Sequence, residues 1–150
     1  SCIFLVCGSA FANQKYEFTG TAYNTSGFET PIITSSEAQI WNWSNDSFWV
    51  YDNAPEVWPK EVMADCKGKG VANKEGIPIA GYFICTVHDP DGDIFLTSGN
   101  WDPAKGGGEW SIISGTGKFT GISGGGTYSN GIQFMNGDTL KFVTTIEVPN

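Results

Sequence analysis

Four cysteines, one histidine, three alternating aspartates, a glycine-flanked lysine and six tryptophans are the side chains of this chain that could do chemistry. Asp89, Asp91 and Asp93 surround Gly92, and three carboxylates on one loop could hold calcium. An EF-hand loop places its glycine later and ends in glutamate, whereas Ala104 and Lys105 stand near that position here, so the trio reads as a solvated turn. His88 could act as a general base with Asp89 to orient it, but a lone histidine at a strand end is more often structural, and no G-x-S-x-G elbow accompanies it. Cys66, Cys85 and His88 do not complete a zinc set. Gly115, Thr116, Gly117 and Lys118 suggest a phosphate loop, yet Ile112 stands where its first glycine belongs and Phe119 replaces the hydroxyl that holds magnesium. No metal, cofactor or catalytic residue is therefore assigned.

The aromatic residues carry the strongest functional pattern. Trp41 and Trp43 share one face of a strand, and Trp49 and Tyr51 share a face of the next, with Trp58, Trp101 and Trp110 elsewhere. Tryptophan suits places where an apolar body meets a polar edge, as in a ligand pocket. The same rings could instead fill the core. Glu37 and Gln39 lie on the face of Trp41 and Trp43, which suits either an outer face with a stacking platform or a pocket with polar handles. Asn24, Asn42 and Asn45 each begin an N-x-S sequon, which matters only in a eukaryotic host.

Period-two alternation between turn residues, with 20 glycines and no sustained helical period, predicts an all-β chain. Its clearest element is the hairpin centred on Glu75 and Gly76, which sets Cys66 opposite Cys85 at a spacing a disulfide can bridge. That bond would close a loop of about twenty residues and contribute roughly 3 kcal/mol through loop-closure entropy. Further strands are expected at 15–23, 37–43, 47–51, 94–98, 109–113, 126–135 and 138–148. The turns between them fall at Ser44 to Asp46, Pro90 to Gly92, and Asn136 with Gly137. Asp52 to Lys60, with two prolines, reads as a loop across one end. Eight or nine strands in sequential hairpins make a meander, and closure into a single antiparallel barrel removes its exposed edges. A two-sheet sandwich is the alternative.

Residues 1–12 stand apart from this pattern. Cys2 to Ala12 is an apolar run too short for a membrane span, and Ala10, Phe11 and Ala12 form an A-x-A cleavage pattern, so it reads as the remnant of a signal peptide. The barrel domain is then 13–150, secreted or periplasmic, with two cysteines left to pair in an oxidising compartment. Net charge is −8 and every cation is lysine. Nucleic acid and anionic membranes are disfavoured as partners, because both call for a basic face.

Ser114 to Tyr128, SGTGKFTGISGGGTY, resembles the segment before the last strands of the allene oxide cyclase and dirigent barrels. A looser likeness joins GYFICTVHDPDGDIF, GTGKF and the final hairpin to secreted bacterial proteins of uncharacterised function. Physically, Gly115 and Gly117 allow a tight bend, Phe119 plugs the barrel end, and Gly124 to Gly126 let the chain re-enter the sheet. The resemblance implies architecture but carries over no catalytic residue, since the chain has no arginine and no other motif that aligns. Three functions follow as expectations. The first is non-enzymatic binding of a small apolar or aromatic molecule by Trp41, Trp43, Trp49 and Tyr51. The second is a cyclase or dirigent-like enzyme that confines a reactive intermediate, and the third is an interaction protein with a filled core. Related barrels often associate, so a homo-oligomer is also implied.

Overall fold

The computed structural model describes residues 12–150. The predicted leader therefore lies outside the described residues, apart from Ala12. The described residues form eight strands: β1 (Gln14–Thr34), β2 (Ala38–Asp52), β3 (Glu61–Asn73), β4 (Pro78–His88), β5 (Ile94–Trp101), β6 (Gly107–Gly115), β7 (Ser123–Phe134) and β8 (Gly137–Val148). Each pairs antiparallel with the next, and β8 returns to β1, so the sheet closes as a barrel in sequence order. The sandwich alternative is excluded. Among the described residues no helix is long and apolar enough to cross a membrane.

The cysteine hairpin forms as its symmetry predicts. Met63 faces His88, Cys66 faces Cys85 and Val71 faces Ala80, before a bulge shifts Ala72 onto Pro78. Cys66 and Cys85 are disulfide-bonded with their Cα atoms 4.0 Å apart. The turn beyond them is held by Asn73, whose Oδ1 accepts from the backbone N–H groups of Glu75 and Ile77, while Gly76 supplies the left-handed residue.

Two sequence expectations are corrected. Ser44 to Asp46 is not a turn, and the strands placed on either side of it are the single strand β2. These residues have turn-forming side chains, but their backbone pairs on both edges, Ser44 with Gly27 and Lys67, Asp46 with Thr25 and Asp65. Ladder bonds on both sides outweigh local turn preference. They exist because β1 runs to Thr34, eleven residues past its expected end. The last hairpin also turns one residue early, at Met135 and Asn136, with Phe134 facing Gly137. Gly137 serves a steric need, since a Cβ there would overlap the carbonyl oxygen of Asn24.

One end of the barrel is packed solid. The loop from Asn53 to Lys60 dips Trp58 into the interior, where its ring centroid lies 5.1 Å from Phe95 and 5.3 Å from Phe119. Phe18, Tyr51 and Phe142 complete the plug. Phe119 arrives on a short 3-10 turn (Gly117–Phe119), and Gly115 gives it room.

The same turn explains the three aspartates. Lys118 Nζ lies 2.5 Å from Asp89 Oδ2 and 3.0 Å from Asp91 Oδ2, and Asp93 Oδ2 accepts from the Lys118 backbone N–H. Thr116 pairs with Ile94 through its own backbone N–H and accepts the N–H of Ile94 at Oγ1. Gly117 is left-handed at φ 48°, and a Cβ on it would strike Asp93. GTGKF is thus a latch that ties the β4–β5 turn to the plug, with its lysine neutralising the carboxylates. Burial works against the Lys118 charge, but the carboxylates of Asp89 and Asp91 outweigh it and hold its pKa above the usual 10.5. A raised lysine pKa means the ion pair contributes fully at neutral pH and is lost only as pH climbs through that raised value.

The Asp89 side chain is only 2% exposed, so removing its partner leaves a buried carboxylate uncompensated. Lys118→Met is expected to cost about 2 kcal/mol in urea denaturation, and adding Asp89→Asn should recover part of that. Equal stability of Lys118→Met and the parent would show that the latch contributes nothing. Cys66→Ser with Cys85→Ser should cost about 3 kcal/mol in the same assay, through loss of the loop constraint.

Candidate ligand-binding cavity

Continuity of β2 has a direct consequence for the site. Trp41, Trp43, Asn45, Ser47, Trp49 and Tyr51 occupy alternate positions of one strand and so share its inward face. The turn expected at Ser44 to Asp46 would divide this stripe, and its absence makes the stripe continuous. Trp41, Trp43 and Trp49 line a cavity of about 410 Å3 that fills the half of the barrel away from the plug. Tyr51 belongs to the packed half, 6% exposed among Phe18, Trp58 and Phe142, and does not line the cavity. Burial pushes its phenol well above the usual tyrosine range, so it stays neutral.

The cavity stays open because its rings lie against the wall. Trp41 pairs across the ladder with Gly70 and Trp43 with Gly68, and a Cβ on either glycine would overlap the indole. Phe83 lies on Gly99 and Phe142 on Gly20 in the same way, and a Cβ added to Gly81 would come within 3.2 Å of the Trp101 ring. Each glycine is a recess that the opposing ring occupies. Phe83, Trp101, Trp110 and Tyr128 complete the aromatic lining. The first two could have been found in the sequence from the β4–β5 hairpin register, which sets each of them opposite a glycine.

Polar groups sit at defined places on this surface. Trp49 Nε1 donates to Ser47 Oγ at 2.7 Å, and Ser47 donates on to Asn24 Oδ1 at 2.5 Å. Asn24 Nδ2 in turn donates to Asp138 Oδ1 at 2.7 Å. This chain fixes Trp49 and leads to Asp138, the only carboxylate among the described lining residues. Among the described lining residues there is no lysine and no histidine. Tyr128 donates to the Asn100 carbonyl at 2.7 Å, and its burial raises the phenol pKa above the ordinary range. The disulfide forms part of the wall.

Other candidates lie elsewhere. Glu37 precedes β2 and is exposed, and Gln39 does not reach the cavity. His88 is exposed at the end of β4, on the outward-facing positions opposite Met63 and Ile94. Of the sequon asparagines, Asn24 is buried in the polar chain and Asn45 lines the cavity, while Asn42 accepts from Lys69 Nζ on the outside.

No protein-family model matches the chain, and no curated protein does. Among solved structures it is similar to two pterocarpan synthase dirigent proteins. With PsPTS1 the TM-score is 0.59 at 14% identity, over 93% of this chain and 99% of the other. With GePTS1 it is 0.57 at 13% identity, over 100% and 97%. At such identities the likeness is one of fold, and the fold of this chain is a dirigent-like barrel.

Proposed function

We propose that this protein is a secreted, non-enzymatic barrel that holds a small apolar or aromatic molecule in its interior. The observation that carries the proposal is the contrast between the two halves of one barrel. Trp58, Phe95 and Phe119 fill one end completely, whereas Trp41, Trp43 and Phe83 are set back on glycines and leave about 410 Å3 open. A space of that size walled by aromatic rings suits a compact, flat guest. The filled-core interaction protein loses its premise at the hollow end.

Confinement of a reactive intermediate is the second function the cavity favours. Its support is Asp138, a carboxylate facing an aromatic chamber in a dirigent-like barrel. Secretion is supported by the Cys66–Cys85 bond, since disulfides persist in oxidising compartments.

Native mass spectrometry of the protein from its own host tests the main reading. A small extra mass lost on denaturation is expected, and a bare chain mass would count against it. Variants separate cavity from core. Trp58→Ala should lower stability by about 3–5 kcal/mol, as for any large ring removed from a packed interior. Trp43→Ala should cost less stability yet weaken binding of the neutral fluorophore phenylnaphthylamine by about tenfold. Should the two variants lose stability alike and bind alike, the distinction between halves would be wrong.

A further inference from the structure

We infer that the cavity is built for a neutral guest that brings both a hydrogen-bond donor and an acceptor, anchored by Thr97 and Asn45 on either side of the disulfide. This rests on the ligand-binding reading above and narrows it from apolar molecules in general. Thr97 is 0% exposed, and its Oγ1 has no hydrogen-bond partner. Asn45 is partly buried, its Oδ1 is shielded and has no partner either, and both residues line the cavity. The ladder sets Asn45 beside Cys66, Cys66 beside Cys85, and Cys85 beside Thr97, so the two orphaned groups flank the disulfide along one row of the wall.

A buried hydroxyl or amide without a partner is unfavourable, and native structures rarely keep one without cause. Asn24 and Ser47 show the alternative, because Ser47 accepts from Trp49 and donates to Asn24, whose amide donates to Asp138. Thr97 can donate or accept and Asn45 Oδ1 can only accept, so a guest that offers an acceptor to the first and a donor to the second completes both. Trp41 Nε1, a third unpartnered group on the lining and a donor, adds a place for a second acceptor. Charge sets the remaining limit. With Asp138 present and no cation among the described lining residues, an anion would enter a desolvated site with nothing to balance it.

Competition against bound phenylnaphthylamine, using naphthalene-based probes of nearly equal size, tests this. Naphthalene carboxamide should displace the reporter at about tenfold lower concentration than methylnaphthalene, with naphthoate the weakest of the three. Thr97→Val and Asn45→Leu should each erase most of the carboxamide preference while methylnaphthalene binding stays the same. Thr97→Ser, which keeps the hydroxyl, should preserve it. Because the orphaned groups satisfy nothing in the empty protein, Thr97→Val should leave the melting temperature unchanged or raise it. A merely structural threonine would instead lower it. Equal displacement by carboxamide and methylnaphthalene, or naphthoate binding as well as carboxamide, would overturn the inference while leaving cavity binding intact. A reporter that does not bind at all would overturn both.

Discussion

The barrel is half hollow because several of its largest side chains lie against glycine. An eight-stranded barrel has an interior that ordinary side chains can fill, so an open chamber requires something to hold the rings back. Gly68, Gly70, Gly81 and Gly99 do this on β3, β4 and β5. Glycine in a strand is costly, since it gains the least from pairing and loses the most freedom. A ring covering each glycine offsets that cost by shielding the bare backbone. Lining and wall therefore stabilise one another, and the chamber follows from their pairing.

The two ends divide the physical work. At the closed end, loops supply the mass: Trp58 from the β2–β3 connection and Phe119 from the 3-10 turn, held in place by Lys118 and its carboxylates. At the open end, strands supply everything, with register fixed by the Cys66–Cys85 bond in the wall. β2 crosses both regions, with Trp41 and Trp43 in the chamber and Tyr51 in the plug.

Much of this was legible in the sequence, wherever two residues had to satisfy one constraint. Cysteines symmetric about a glycine turn gave the register of β3 and β4, and Pro90, Asp91 and Gly92 gave the next turn. Trp41, Trp43 and Trp49 were recognisable as candidate lining from alternation and type. The misreadings came from residues whose role is set at a distance. Ser44 to Asp46 look like a turn until β1 is known to extend beside them, and Gly137 looks like a turn glycine until Asn24 is seen against it. Tyr51 cannot be told from Trp49 by spacing, because what separates chamber from plug is Trp58, delivered by a loop. Lys118 and Asp91 are 27 positions apart, so the latch resembled two unrelated motifs.

The glycine recesses bear on how such a chamber could change over generations. A ring and the glycine facing it form a single unit of inheritance: enlarging the glycine evicts the ring, and shrinking the ring exposes a bare stretch of wall. Position 43 is bound to 68 in this way, 41 to 70, 83 to 99 and 101 to 81. Among descendants of one ancestral barrel, these positions should be exchanged in pairs, and the contour of the chamber should move in discrete steps. The chamber of such a barrel can change its contour while latch, plug and stapled hairpin remain untouched.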